Sequence, residues 1–250
     1  MGVIGVIWKK LLKECMEKGE FIRKDDSKIL ELMGNYIFLE RPQDIDFPLH
    51  QTVYTSEKFL ENMEKGLYNI QNYPLKDDAL VGYVTSWYDV QQKYNADPDL
   101  LEEYGFDPKK GFVYTYPERV LHIPLISENK QYCYINQMHI MKQRLLSNLG
   151  TNRSVATLYQ AGLDGARVDI PCLQWLQATV RNDKLELHCI FRSNDLFGAW
   201  PSNMYFLTLF GLDLTNSLNK DIQFNGIHYH SSSLHIYETD LPMVRRVLNE

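Results

Sequence analysis

The chain has no C-x-x-C pair, no concentration of basic residues, no apolar run long enough to span a bilayer, no internal repeat and no low-complexity tract. Each absence removes a class of function. The four cysteines, Cys15, Cys133, Cys172 and Cys189, are scattered, which argues against a zinc site or a redox dithiol and leaves no metal to propose. With no secretory signature they read as reduced thiols of a cytoplasmic protein. The apolar start from Gly2 to Trp8 is interrupted at once by Lys9 and Lys10, so it is neither a signal peptide nor a membrane span. Val6 breaks the myristoylation pattern that Gly2 opens. A formal charge of −6 argues against binding polymeric nucleic acid, which relies on basic surface to displace counterions. It leaves room for one small phosphorylated ligand, because a few local arginines can hold a phosphate.

What is present describes a globular chain. Its 250 residues fit one large domain or two small ones, and a 44% hydrophobic content supplies a sizeable core. The 16 Tyr, 11 Phe and 4 Trp are mostly packing residues, although Tyr also lines sites for planar polar ligands.

Residues 7–19 predict an amphipathic helix, with Ile7, Leu11, Leu12 and Cys15 on one face and Gly19 as its C-cap. Residues 20–28 are charged and loop-like. Residues 29–40 predict a strand, bent or bulged at Gly34. Residues 41–113 mix short helical patterns (56–66, 97–104) with loops and a turn at Asp107–Gly111, and read as an insert or subdomain in one domain spanning 1–250. A helix is expected at 131–148 and a strand at 153–161. A hairpin is expected from 172–182 and 185–193, turning at Asn182-Asp183. A buried helix at 200–215, a last strand at 226–238 and a short helix opened by Asp240-Leu241-Pro242 complete the order. That order predicts an α+β fold with a mixed β-sheet core packed with helices.

The stretch from Arg153 to Asn203 carries the chemistry. A free cysteine is ordinarily a buried core residue. Cys172, after Pro171, is set apart by Arg192 on the next strand of the expected hairpin, since nearby positive charge favours a thiolate. Arg192-Ser193 offers a five-donor fork and a hydroxyl suited to phosphate, or else a strand-end ion pair with Asp195. Arg153 and Arg23 are further candidate phosphate ligands, each otherwise a surface charge. The Asn203 amide carries one acceptor and two donors, the complement of the uracil edge, and turned over it reads cytosine. Otherwise it is a capping or core-satisfied residue. His235 and Tyr237, two apart on a strand, share a face suited to a sugar hydroxyl or to simple aromatic packing. His228 and His230 alternate on the same strand with no third ligand evident.

Together these residues resemble the thymidylate synthase family. Pro-Cys, Gln177 five residues after Cys172, Arg-Ser-x-Asp at 20, Asn at 31 and His-x-Tyr match it in order and spacing. The likeness is strong over about 150–238, weaker over 5–40 and hardly detectable in 41–120. It implies a homodimer formed through the sheet. It implies that Cys172 adds to C6 of a pyrimidine deoxynucleoside monophosphate and that C5 takes a one-carbon unit from 5,10-methylenetetrahydrofolate. Arg192, Ser193 and Arg153 of the partner subunit would hold the phosphate. Gln177 would belong to the substrate site, Asn203 would read the base, His235 and Tyr237 the sugar, and Asp195 would contact the pterin. The general acid/base is sought at Glu61, with Glu64 as the alternative, and Tyr114 in the water network around the base.

The chain also departs from the pattern. Asn152 stands where the first of an arginine pair is expected, with Arg23 or Lys24 as the candidate replacement. Phe191 replaces a polar residue, and Gly198 is shifted by one place. Only 13 residues follow Tyr237, shorter than the tail that closes over the folate, although short archaeal-type members are built this way. Three readings follow. The first is methylation of dUMP to dTMP. The second is hydroxymethylation of dUMP or dCMP, with water quenching the methylene. The third is a non-catalytic nucleotide-binding relative, against which the retained Cys172 argues.

Overall fold

Apolar and polar residues alternate with period two over much of 173–181, 184–191 and 223–237, and these segments build the centre of one mixed sheet. The computed structural model describes residues 3–24, 26–43, 116–121, 123–126, 132–165, 170–218 and 221–248. Seven strands form the sheet: Glu20–Lys24 (β1), Ser27–Glu40 (β2), Val155–Thr157 (β5), Leu173–Arg181 (β6), Lys184–Phe191 (β7), Asn194–Asp195 (β8) and Gln223–Tyr237 (β9). A separate ribbon joins Ile123–Ile126 (β3) to Tyr132–Ile135 (β4). The helices are Val3–Lys18 (α1), Tyr116–Leu121 (α2), Gln137–Ser147 (α3), Ala161–Asp164 (α4), Trp200–Asn216 (α5) and Leu241–Leu248 (α6). The strand order is β1-β2-β9-β7-β6-β5, with β8 beside β9. β7 and β8 run parallel to β9 and the other neighbours are antiparallel, so the α+β expectation of a mixed sheet holds.

One face of the sheet forms the core. Leu176, Ala178 and Val180 of β6, Leu185, Leu187 and Phe191 of β7, and Ile227 and Tyr229 of β9 are buried with Trp8 and Leu12 of α1. α5 is apolar nearly all round, as a helix at the centre of a core must be, and packs on β7 and β9. The opposite face carries two rows in register. Trp175, Ile190, His230 and Tyr36 form one; Gln177, His188, His228 and Phe38 form the other. Ile190 and Tyr36 are exposed.

The expected hairpin forms, with Asn182 and Asp183 both left-handed (φ 51° and 58°), as a tight two-residue turn requires. Gly34 bends β2 at φ 68°. α5, β9 and α6 lie where the sequence puts them.

Four expectations need correction. Residues 20–28 are not a loop. Glu20–Lys24 form β1 and Ser27-Lys28 open β2, charged because β1 is an exposed edge strand. The helix at 131–148 begins only at Gln137. Tyr-Cys-Tyr-Ile before it suits a strand, and Asn136 caps the helix by accepting the His139 N–H at 2.8 Å. The strand at 153–161 shrinks to β5, followed by the single turn α4. Gly19 closes α1 without a left-handed backbone; its need is space, since a Cβ there would meet the Cys15 carbonyl at 2.5 Å and Leu30 at 2.8 Å. The readings at 56–66, 97–104 and 107–111, and Glu61, Glu64 and Tyr114, lie outside the described residues, as does nearly all of the segment 41–113.

Candidate active site

Topology brings the chemistry-bearing residues to one end of the sheet. β6 and β7 are antiparallel, so the start of β6 meets the end of β7: Leu173 faces Phe191, and the Arg192 N–H donates to the Cys172 carbonyl at 2.8 Å. β9 runs parallel to β7, so its end arrives there too, with Ser231 beside Phe191 and His235 beside Asp195 of β8. The first turns of α5 add Asn203. Trp8 of α1 ties down the connecting loop, donating its indole N–H to the Leu196 carbonyl at 2.7 Å and stacking on Phe197.

Cys172 is the half-buried thiol of this end. Cys15 and Cys189 are core residues: burial pushes the Cys15 thiol up to about 12 and raises that of Cys189 as well. Neither is a candidate nucleophile at neutral pH. Arg192 spends part of its fork on the strand before the cysteine, from Nε to the Pro171 carbonyl at 3.2 Å and from Nη2 to the Ile170 carbonyl at 2.6 Å. A guanidinium has five N–H donors, so Nη1 remains to serve an anion. Among the described residues no ion pair joins Arg192 to Asp195.

His235 is buried and held neutral. Its Nε2 lies 3.3 Å from Lys24 Nζ, and its Nδ1 is 3.5 Å from both Ser193 Oγ and Ser233 Oγ. A lysine ammonium only donates, so Nε2 accepts and Nδ1 carries the proton. That proton points at the serine oxygens and leaves the Ser193 hydroxyl hydrogen available for an anion. Burial first, then the charges of Lys24 and Arg192, lower the imidazole to about 3. Tyr237 stands edge-on to His235, ring centroids 5.3 Å apart, and Lys24 lies over the Tyr237 ring at 5.7 Å. Of the two adjacent cations, the structure therefore brings Lys24 to the cluster. Arg23 is exposed and on the other side of β1.

Asp195 Oδ1 accepts the backbone N–H groups of Phe197 and Gly198 at 3.1 and 3.0 Å. Burial nonetheless dominates and raises its carboxyl to about 6, with Asp240 adding to the rise. Asn203 is buried and donates from Nδ2 to Asn194 Oδ1 at 3.0 Å; Asn194 donates in turn to the Tyr229 hydroxyl at 3.1 Å. Neither Asn194 nor Tyr229 stood out in the sequence. The signal available was the variable position of Arg-Ser-x-Asp and a tyrosine between two histidines.

Two expected site residues lie apart. Gln177 is on the far face of β6, its amide donating to the Asn152 carbonyl at 2.7 Å. Ser154 accepts the Ala178 N–H at 2.9 Å and Val155 faces Gln177, which sets Arg153 level with Thr179. That is seven residues along β6 from Cys172, roughly 23 Å at strand rise. Arg153 cannot reach the Cys172 cluster of its own chain.

The far face also holds Glu186, His188 and His228, with ligand atoms within 4.8 Å of one another. The two imidazoles stack at 4.3 Å with planes 4° apart. Lone pairs lie in the ring planes, so these point side by side and do not converge on an ion. Both His228 nitrogens are also used, toward Tyr36 Oη at 2.6 Å and Glu186 Oε2 at 2.9 Å.

No described helix is long and apolar enough to cross a membrane. The family model for thymidylate synthase matches residues 41–250. Three archaeal proteins, each named "Putative thymidylate synthase", are similar over long stretches. That of Methanocaldococcus jannaschii is 29% identical over 171 residues, 64% of this chain and 74% of its own. That of Methanothermobacter thermautotrophicus is 24% identical over 242 residues, 96% of this chain and 93% of its own. That of Methanopyrus kandleri is 23% identical over 239 residues, 94% and 90%.

Proposed function

Since the chain belongs to the thymidylate synthase family, we propose that it transfers a one-carbon unit to C5 of dUMP to give dTMP, through a covalent adduct between Cys172 and C6. The observation that carries this is the convergence of an accessible thiol, an arginine, a hydroxyl and a neutral histidine at one end of the sheet, with the Asn203 amide beside them.

The Cys172 sulfur forms a bond to C6, and the C5–C6 electrons move onto C5 and O4. C5 is then the nucleophile. A reduced folate, 5,10-methylenetetrahydrofolate, supplies the carbon and, for a methyl product, the hydride. Loss of the C5 proton and departure of the sulfur restore the ring, so the cysteine splits one difficult substitution into easier steps. Arg192 Nη1 and the Ser193 hydroxyl donate to the phosphate. Tyr237 and neutral His235, whose Nε2 would exchange Lys24 for the sugar, take a deoxyribose hydroxyl, and Lys24 Nζ supplies the extra positive charge that Asn152 does not. Asp195 fits a pterin edge, because its Oδ2 remains an acceptor after Oδ1 has taken two backbone N–H groups. Glu61 as general acid/base and Tyr114 in the water network around the base complete the assignment.

The test is incubation of purified protein with dUMP and methylenetetrahydrofolate, then with dCMP, followed by mass spectrometry of the nucleotide. A product 14 Da heavier, with dihydrofolate formed, is expected from replacing H by CH3. A hydroxymethyl product with tetrahydrofolate released would replace this reading by hydroxymethylation. Cys172→Ser should abolish turnover and the adduct while dUMP still binds. Unchanged turnover in that variant would overturn the mechanism.

A further inference from the structure

We propose that Glu31 is a positioning residue for the sugar. By holding the Ser233 proton it keeps the His235 proton on Nδ1, so that the site takes a deoxyribose hydroxyl as a hydrogen-bond donor and turns away a sugar with no proton to give. The proposal rests on His235 as the sugar ligand. A neutral imidazole carries one proton, and the partners of its two nitrogens decide which of them holds it. Lys24 Nζ, 3.3 Å from Nε2, settles the matter in the empty site, since an ammonium can only donate. The sugar takes that place when nucleotide binds, and a hydroxyl settles nothing, because it both donates and accepts. From then on the tautomer has to be held from the Nδ1 side.

Two serine oxygens lie at Nδ1, Ser193 Oγ and Ser233 Oγ, each at 3.5 Å. A serine hydroxyl rotates, so by itself it suits either tautomer. Bound phosphate would draw the Ser193 proton, leaving that oxygen to accept from Nδ1. Ser233 is then the group able to donate to Nδ1 and push the ring proton to Nε2. Glu31 prevents this. Ser233 Oγ donates to Glu31 Oε1, and a carboxylate oxygen only accepts. One hydroxyl has one proton, so Ser233 turns a lone pair to the ring, Nδ1 donates, and Nε2 stays bare. Strand register makes the contact. Half-buried Glu31 of β2 faces His235 of β9, and Ser233 lies two residues before His235 on the same face. His235 is 2% exposed, so bulk water does not replace these partners.

The arrangement sets a choice of sugar. A hydroxyl donates to bare Nε2. Fluorine in its place has no proton and sets a second electron-rich atom against the nitrogen lone pair. A site built for a hydrogen bond rejects an analogue that cannot make it. Without Glu31 the Ser233 proton can turn to Nδ1, the ring proton moves to Nε2, and fluorine then meets an N–H. The hydroxyl of dUMP serves both forms. Loss of Glu31 therefore widens the choice without weakening the natural ligand.

The experiment is calorimetric titration of dUMP, and of its analogue with fluorine in place of the sugar hydroxyl, into the intact wild-type protein and into Glu31→Ala, Ser233→Ala, the double variant and His235→Ala. Thermal unfolding is run on each, and nitrogen NMR of the dUMP complexes reads which His235 nitrogen holds the proton. The wild type should favour dUMP and show the proton on Nδ1. Glu31→Ala should bring the Nε2–H form into the spectrum and lower the dUMP-to-analogue affinity ratio about tenfold, through tighter binding of the analogue. Ser233→Ala leaves Nδ1 to Ser193 and should keep the wild-type ratio. The double variant should regain that ratio, because the competing hydroxyl is gone. A role in packing alone would weaken both nucleotides alike, and removing a second side chain would not repair it. The proposal is overturned if bound wild-type protein carries the proton on Nε2, if folded Glu31→Ala keeps the wild-type ratio, or if the double variant fails to regain it. His235→Ala should erase the ratio. If it does not, the sugar lies elsewhere, and the underlying assignment falls first and the proposal with it.

Discussion

Two ionisable residues of the site, buried His235 and half-buried Asp195, respond to pH in opposite directions, and each offers a test of the environment described. His235 is depressed to about 3. A folded value below the unfolded one contributes stability that is whole above about 6.5 and is lost as pH falls through the folded value. Wild-type protein should therefore lose stability on acidification through that window faster than His235→Gln. The imidazole Hε1 resonance should not titrate between pH 5 and 8; an inflection near 6.5 would show that the ring is neither buried nor flanked by Lys24 and Arg192. Asp195 is raised to about 6, so its contribution is full below about 4 and declines as pH rises through 6. Asp195→Asn should remove that slope and raise stability at pH 8 by roughly 2 kcal/mol. It should also weaken the folate, if the ionised carboxylate is what holds the pterin. Unfolding curves at pH 5 and pH 8 decide the first point, and folate titration decides the second.

At the scale of elements, what the sequence disclosed depended on whether a pattern is local. Cys172 and Arg192 were legible as neighbours because Asn182-Asp183 announces the hairpin that pairs their strands. Lys24 was not separable from Arg23 while residues 20–28 read as a loop, because only a strand gives adjacent residues opposite faces. Tyr132–Ile135 vanished into the following helix since four residues are too few to show a period. The Asn194–Tyr229 contact joins residues 35 apart and leaves no periodic trace. Glycines show the same limit. Gly34 and Gly211 look alike in sequence, yet one is needed for its backbone and the other for space. A Cβ at Gly34 meets nothing within 4 Å, so Gly34→Ala should cost only the left-handed strain at φ 68°, about 1 kcal/mol. A Cβ at Gly211 would sit 2.3 Å from the Phe224 ring, where α5 presses on β9. Gly211→Ala should cost about 2–3 kcal/mol, and Phe224→Leu should recover part of it. Urea unfolding of the three variants measures both, and equal losses at the two glycines would contradict this packing.

At the scale of the whole molecule, Arg153 is assigned by the resemblance to a phosphate site that it cannot reach in its own chain. It lies seven residues along β6 from Cys172, near Arg181 and Gln177, at the opposite end of the strand. A second copy packed on the far face, where Ile190 and Tyr36 are exposed beside the stacked histidines, could bring the partner subunit's Arg153 to the Cys172 cluster. This arrangement predicts a defect that two dead variants repair for each other. Arg153→Ala should raise the KM for nucleotide, and Cys172→Ser should be inactive. Unfolded together and refolded at equal amounts, half of the dimers pair unlike chains. In each such dimer one site carries both changes and the other carries neither. Activity measured at low dUMP should therefore return to about a quarter of the wild-type value. Activity no higher than the mean of the separate variants would mean that Arg153 serves no neighbouring site. Tyr36→Lys, which plants a charge on the far face, should abolish both the recovery and the dimer that this arrangement predicts in sedimentation. A variant that stays dimeric and complementing would put the interface elsewhere.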